Sequence, residues 1–491
     1  MNPEAAIVIV GAGFAGLCMA IELKQAGIDA FTIYEANAEV GGTWRDNVYP
    51  GCACDIPSHL YSFSFELKSN WSRTFSPRAE IQEYLVECAT KYDLYSQIVF
   101  NTEIRAARFD EARGLWTLHT ADGEAIMARA VVLGVGGLSR PRIPEFEGLQ
   151  SFGGQSFHSA RWNHDVDLRG KRVAVVGTGA SAIQIVPAIA DEVEQLSVFQ
   201  RTPPWVVPRM DRAYSGLEKR LFAGIPGLQR AYRSAIYWFQ ESRAIGFLGE
   251  QRMMDLFEWF ARRYIERAID DLELRARVTP DYTIGCKRIL VSDDYYPALA
   301  RPNVELVAES VVRFTPDGLV ASDGVEHALD VVIFATGFRV TDFLAYFEVI
   351  GRDGRNLNAQ WQGGAEAYYG VAVTGFPNLF MLVGPNTGLG HNSIVFMIES
   401  QARLVRQAIE AMQSAGASSI EVRPGVQRDF NEAVQQRSQK TVWQSGCQSW
   451  YLEDSGKNTT LWPGYTFEYW LRTRKLRGHD FRLNWERDEA G

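Results

Sequence analysis

The sequence predicts an α/β protein: two open parallel sheets flanked by helices, with a helical segment inserted into the second. Three observations lead there. An apolar run, a glycine-rich turn and a helical stretch occur together near residue 7 and again near residue 173. From roughly Tyr214 to Arg277 strand signals stop, and Leu, Phe, Trp, Arg and Glu recur at helical spacing, as in QRMMDLFEWFARRYIERAIDDLELRARV. Strand signals then return at 304-VELV-307 and 330-DVVIFATGF-338.

A chain of 491 residues exceeds what one core organises and calls for two or three domains. The net charge of −9, from 50 basic and 59 acidic residues, excludes a nucleic-acid binder, because no basic surplus is available to neutralise phosphates. Six cysteines in this length make no disulfide framework. Cys18, Cys88, Cys286 and Cys447 sit among apolar or small neighbours and read as buried thiols, while Cys52 and Cys54 lack the C-x-x-C spacing of a redox dithiol. The apolar opening MNPEAAIVIVGAGFAGLCMA has no basic residue before Lys24, so it does not read as a signal peptide. No uninterrupted apolar run reaches membrane-spanning length. A reducing cytoplasm, no membrane and no metal are expected.

Residues 7-IVIV-10 form the continuous β-branched run of a strand covered on both faces. The turn 11-GAGFAG-16, a helical stretch closing on Gly27 and a second strand 31-FTIYE-35 complete a βαβ unit. Gly11 permits the tight turn, Gly13 lets a pyrophosphate approach the backbone, and Gly16 lets helix and strand pack closely. The phosphate then meets the N–H groups and dipole of the helix N-terminus. The second unit repeats this: strand 173-VAVV-176, turn 177-GTGASA-182 with Gly177, Thr178, Gly179, Ser181 and Ala182, helix IQIVPAIA and strand 196-LSVFQ-200.

Glu35 and Arg201 occupy the same register relative to Gly11 and Gly177, at the position that faces an adenosine ribose. A carboxylate there accepts hydrogen bonds from both ribose hydroxyls, whereas a guanidinium favours a 2′-phosphate. Two Rossmann-like dinucleotide-binding domains follow, the first for FAD and the second for NADP(H), with hydride passing from nicotinamide to flavin.

The expected layout is a first part of the FAD domain over 1–148 and a first part of the NADP domain over 149–210. A helical insertion covers 211–284, the NADP domain resumes over 285–345, and 346–491 returns to the FAD domain. The insertion is expected to wall a cleft, with its aromatics serving packing rather than chemistry. In the last part, 377-PNLFMLVGPNTGLGHN-392 leads from a strand to a helix whose N-terminus can face a flavin ring.

Three motifs carry a family resemblance. The linker 152-FGGQSFHSARWN-163 gives Phe152, Gly154, His158 and Trp162 of the fingerprint FxGxxxHxxxW, with Asn163 where Pro or Asp follows. The segment 41-GGTWRDNVYPGCACD-55 matches the longer fingerprint [AG]GxWxxxx[FY]P[GM]xxxD through Gly41, Gly42, Trp44, Tyr49, Pro50, Gly51 and Asp55. The third is 286-CKRILVSDDYY-296. On these motifs the chain resembles the class B flavoprotein monooxygenases, and among them the Baeyer–Villiger monooxygenases.

The resemblance implies FAD and NADPH as cofactors and a ketone and O2 as substrates. One oxygen atom enters beside the carbonyl, giving an ester or lactone through a flavin peroxide that must stay anionic to attack carbon. It implies that Arg288 supplies a fixed positive charge beside that anion and that Asp55 holds Arg288 in place. Lys287, with Arg201 and Thr202, would meet the NADPH 2′-phosphate. Gly42, Thr43, Trp44 and Tyr49 belong with the flavin site, and Trp450 resembles a tryptophan over the nicotinamide nucleotide. Phe152, Gly154, His158 and Trp162 are expected at a hinge between the two domains, where they set the domain relation without making bonds.

Three rivals share parts of this pattern. An N- or S-oxygenating flavin monooxygenase uses the same cofactors but a protonated peroxide, and has no use for Arg288 opposite Asp55. A disulfide reductase needs a dithiol that Cys52 and Cys54 do not form. A non-catalytic nucleotide sensor would not need both sites and Arg288 intact.

Overall fold

The computed structural model describes residues 7–342, 344, 347–447, 449, 451–453 and 455–485. Two five-stranded parallel sheets organise it. In the first, strands run in the order Leu379–Met381, Ala130–Leu133, Ile7–Val10, Phe31–Tyr34 and Ile98–Val99. In the second the order is Val304–Val307, Gln195–Phe199, Arg172–Val176, Val331–Phe334 and Gln155–His158. Every pairing in both is parallel. The central strands Ile7–Val10 and Val331–Phe334 are buried along their whole length. Such strands must be apolar throughout, so period-two alternation is absent from their sequences.

Helix Phe14–Gln25 follows the first glycine turn and lies against the long helix Ile394–Ser414. The latter begins at Ser393, whose hydroxyl accepts the Val395 N–H. This is the strand-to-helix connection expected around 377–392, and its strand lies in the first sheet. A smaller sheet, not anticipated from the sequence, joins Glu348–Ile350, Ile104–Asp110, Leu115–Thr120 and Ala125–Ala128.

The inserted segment contains helices Gly216–Gly224, Leu228–Ser242, Ala244–Phe247, Gln251–Ala268 and Leu272–Val278. Packing accounts for only part of its aromatic content. Trp238, Phe239, Trp259 and Phe260 are each more than half exposed, which corrects, for these rings, the expectation that the insertion's aromatics serve packing. The two longer helices bury one stripe and leave the opposite faces, with these rings, toward solvent.

Residues 152–163 also differ from a plain linker. Gln155–His158 is the edge strand of the second sheet, in register with Val331–Phe334. Among the described residues, no helix is long and apolar enough to cross a membrane.

Candidate active site

The first glycine turn closes tightly on itself. Gly11 has φ +97° and donates its N–H to the Tyr34 carbonyl at 2.8 Å. A β-carbon on Gly16 would lie 1.8 Å from the Gly11 carbonyl oxygen, so only hydrogen lets the helix start here. Gly13 would meet nothing closer than the Gly42 Cα at 3.6 Å, and Gly41 donates its N–H to the Ala12 carbonyl at 2.9 Å. The 41–42 glycine pair therefore lies across the opening of the first turn. Glu35 is 5% exposed. Its carboxylate accepts from the Ala12 N–H (2.8 Å), the Asn37 N–H (3.0 Å) and Arg45 Nη1 (2.8 Å). Thr43 starts the short helix Thr43–Asp46, and the buried Trp44 donates its indole N–H to the Tyr61 hydroxyl at 3.2 Å.

The second turn is built alike. Gly177 has φ +108°, and a β-carbon on Gly179 would meet nothing within 4 Å. That open backbone beside the helix Ala182–Ile189 fits a pyrophosphate. Ser181 immediately precedes this helix, and Thr178 donates its hydroxyl to the Thr202 carbonyl at 3.3 Å.

A two-residue parallel pairing explains how Arg201 and Lys287 meet. Val206–Val207 pairs with Leu290–Val291, and the Leu290 N–H reaches the Trp205 carbonyl at 2.9 Å. The chain entering the insertion thus runs beside the chain leaving it. Burial lowers the Lys287 pKa, and the Arg201 charge lowers it further. The Lys287 ammonium lies 4.6 Å from the centre of the Tyr282 ring. Among the described residues neither cation has a carboxylate in contact, which fits a phosphate between them.

Asp55 stands at the end of a loop that links the two units. Tyr49 donates its hydroxyl to Gln184 Oε1 at 3.0 Å, and Gln184 Nε2 donates to the Ala53 carbonyl at 3.0 Å. Gly51 has φ +78°, and a β-carbon there would lie 2.6 Å from the Gln184 carbonyl oxygen. Arg209 Nη2 holds the Cys54 carbonyl at 2.8 Å. On this platform Arg288 Nη2 donates to Asp55 Oδ2 as an ion pair. The two side chains remain 37% and 28% exposed, so the pair is reachable instead of being sealed in a core.

Asp55 is the first cause of a rise in the Arg288 pKa, which leaves the guanidinium charged at any working pH. Burial raises the Tyr451 hydroxyl pKa while Arg288 lowers it, placing this buried tyrosine beside the pair. Burial also pushes the Cys52 thiol up to about 11 and the Cys54 thiol higher still, so neither is an ionised nucleophile.

The residues expected at a hinge lie in and around the edge strand Gln155–His158 of the second sheet. A β-carbon on Gly154 would lie 2.3 Å from the Asp330 carbonyl oxygen and 2.5 Å from Phe152 Cζ. Phe157 and Trp162 meet edge to face at 5.2 Å. His158 is 2% exposed, accepts the Ala160 N–H on Nδ1 at 3.1 Å, and lies 5.7 Å from the Phe338 ring. Burial lowers its pKa to about 4. Beside Phe338 run the two chain crossings between the sheets: Arg142 N–H to the Gly337 carbonyl and Arg339 N–H to the Arg140 carbonyl. Asn163 accepts the Asp165 N–H on Oδ1 at 3.0 Å, a turn that an aspartate oxygen makes equally well.

One expectation fails outright. Cys286 and Cys447 are bonded to each other as a disulfide, with Cα atoms 6.2 Å apart, and are not separate thiols. Their 161-residue separation hid the pairing, since spacing motifs reveal only local partners. The bond ties the segment carrying Lys287 and Arg288 to the loop carrying Tyr451. Sequence reasoning also missed Glu241, a buried carboxylate in the insertion. It accepts the Thr466 N–H (2.5 Å) and Asn392 Nδ2 (2.7 Å), joining the insertion to the last part of the chain. No local pattern distinguishes it from a solvated helical glutamate. Trp450 lies outside the described residues.

Residues 4–349 match the model of the flavin-binding monooxygenase-like family. A Baeyer–Villiger monooxygenase of Pseudomonas aeruginosa is 50% identical over 97% of this chain and 91% of its own. The closed crystal structure of a cyclohexanone monooxygenase superposes with a TM-score of 0.88 at 29% identity, covering 98% of this chain and 99% of that one. A crystal structure of OTEMO in complex with FAD and NADP gives a TM-score of 0.88 at 28% identity, covering 98% and 100%.

Proposed function

The chain belongs to the flavin-binding monooxygenase family, within it to the Baeyer–Villiger monooxygenases that use FAD and NADPH, and we propose that Arg288 and Asp55 are its catalytic pair. The observation that carries this reading is their partly exposed ion pair, set on the loop that Gln184 ties to the second glycine-turn unit. The substrates are a ketone and O2, and the product is an ester or lactone. A cytoplasmic location, proposed for its NADPH supply, requires the Cys286–Cys447 bond to withstand the reducing pool.

Residues 1–148 and 346–491 form the FAD domain, and 149–210 with 285–345 form the NADP domain, separated by the insertion at 211–284. Gly11, Gly13, Gly16, Glu35 and the 42–44 segment would hold FAD. The turn 177–182, with Arg201, Thr202 and Lys287, would hold NADP(H). Bound FAD, once reduced by NADPH, supplies the activation of O2.

Arg288 keeps a permanent positive charge at the point where a deprotonated oxygen must attack carbon. A guanidinium suits this because it neither loses its proton nor donates it to the nucleophile. Asp55 holds the guanidinium through one N–H, leaving its other N–H groups available to a developing anion. Tyr451 of the C-terminal loop is buried near the pair. His158 and its neighbours set how the two domains meet and touch no reacting atom.

An N- or S-oxygenating enzyme would need a proton on the same oxygen, which a fixed cation opposes. The test is NADPH-dependent turnover of a cyclic ketone, a tertiary amine and a thioether by the FAD-loaded protein. Ester or lactone from the ketone supports the reading. N-oxide formation with no ester from any cyclic, linear or aryl ketone would refute it.

A further inference from the structure

Helix Leu228–Ser242 of the insertion turns Glu241 inward, where it is 2% exposed. A buried carboxylate is costly unless hydrogen bonds replace its water. Here they come from two distant segments. Oε1 accepts the Thr466 N–H (2.5 Å) and the Phe467 N–H (3.4 Å). Oε2 accepts the Thr466 hydroxyl (2.7 Å) and Asn392 Nδ2 (2.7 Å), with His391 Nε2 at 3.5 Å. Thr466 and Phe467 open the helix Thr466–Thr473, and Tyr465 ahead of it offers no side-chain cap. Glu241 therefore caps that helix from outside, against its free N–H groups and the positive end of its dipole. Asn392 in turn accepts the Ser393 N–H on Oδ1 at 2.8 Å, at the start of helix Ile394–Ser414.

Further along, the insertion presses on the segment that carries the proposed catalytic arginine. Phe247, 3% exposed, closes the one-turn helix Ala244–Phe247. A β-carbon on Gly285 would lie 3.2 Å from the Phe247 ring, and one on Gly390 would lie 3.6 Å from it. The ring centre is 6.1 Å from that of His391. Gly285 has φ +88°, and its added carbon would also meet Met254 Cε at 2.6 Å, so the insertion leaves room there for hydrogen only. Gly285 leads directly into Lys287 and Arg288. Stretch 241–247 thus joins an ionic anchor at one end to an apolar wedge at the other, and both ends touch the 390–392 loop.

We propose that Glu241 is a positioning residue for the reaction. Its anchor seats the insertion so that Phe247 holds the segment bearing Lys287 and Arg288 in register with the 390–392 loop. This rests on the proposed function for the roles of Arg288 and Lys287. A charge that must meet a reacting atom needs such packed support, since a displacement of about 1 Å can cost about a hundredfold in rate.

The experiment takes two readings on the FAD-loaded protein: the Kd for NADP+, followed by flavin absorbance, and ester formed per NADPH with a cyclic ketone. Glu241→Gln keeps the volume but leaves one acceptor oxygen and turns an amide toward donors. It should weaken NADP+ binding about fivefold and cut ester per NADPH about tenfold. Phe247→Leu removes no hydrogen bond and should do the same. The double variant should be no worse than either single one, because both act on one link. A role in stability alone would lower the melting temperature and leave both readings at wild-type values, which overturns the proposal. Losses that add in the double variant overturn it as well. Should Glu241→Gln fail to fold, Phe247→Leu decides: wild-type values of both readings overturn the proposal. Weakened NADP+ binding in the variants, with no ester even from the wild-type protein, would instead sink the Baeyer–Villiger reading and leave the positioning role standing.

Discussion

Tyr49 of the first unit donates its hydroxyl to Gln184 of the second at 3.0 Å, and that contact fixes the loop that presents Asp55. Gln184 answers with a bond to the Ala53 carbonyl, and Gly51 approaches the same helical turn too closely for any side chain. Asp55, the acid of the proposed pair, is thus positioned by a residue of the second glycine-turn unit.

Gly51→Ala should therefore impair the site without touching it. The added methyl meets a carbonyl oxygen at 2.6 Å in a left-handed backbone conformation, a cost of about 1–3 kcal/mol. Melting temperature should fall, and the ester yield per NADPH should fall further than in Gln184→Glu, which retains an acceptor for Tyr49. An unchanged yield per NADPH in Gly51→Ala contradicts the docking role.

Nucleotide choice should follow the cations at the second turn. Arg201→Ala and Lys287→Ala each remove one charge-assisted contact to a 2′-phosphate, worth about 1.5–3 kcal/mol. KM for NADPH should rise about tenfold or more while KM for NADH changes little. Steady-state kinetics with both nucleotides checks this, and equal losses for the two would exclude these residues from phosphate recognition.

The disulfide should carry stability and keep the loop bearing Tyr451 near the segment bearing Arg288. Cross-linking a loop of 161 residues stabilises by about 2–5 kcal/mol when native geometry is kept. Cys286→Ser and Cys447→Ser should melt several degrees lower and lose yield together, and the double variant should match either single one. Peptide mapping without reductant that finds two free thiols would contradict the bond.

The buried histidines set the acid limit. His59 and His158 both have pKa values lowered to about 4 by burial, against an ordinary value near 6.5. Between those values the unfolded chain binds protons that the folded chain excludes, so stability rises with pH through this window and falls as pH drops from 6.5 to 4. Each contributes about 3 kcal/mol over that range. Melting temperature against pH should slope accordingly, and His158→Gln should flatten part of it. Because His158 stays neutral above pH 6, ester formation near neutral pH should not titrate with it.

Much of this was legible locally. Strands buried on both faces announce themselves as IVIV and VAVV, and the glycine turns are fixed by backbone geometry that no other residue tolerates. Glu35 and Arg201 fall where the register of a βαβ unit places them. Asp55 and Arg288, 233 residues apart, were legible only through family motifs, because nothing local joins them. What escaped depends on distant segments meeting: the Cys286–Cys447 bond and the Glu241 junction. The insertion's exposed rings were misjudged for a related reason. An amphipathic pattern shows that a helix has two faces, but aromatic content does not reveal which rings the neighbours cover.

The most direct test compares wild type with Arg288→Ala, measuring ester formed per NADPH consumed with a cyclic ketone under saturating FAD. The account predicts that ester formation falls by about a hundredfold to a thousandfold, as when one charge-stabilising donor is lost, while FAD remains bound. Ester output equal to that of wild type would contradict it.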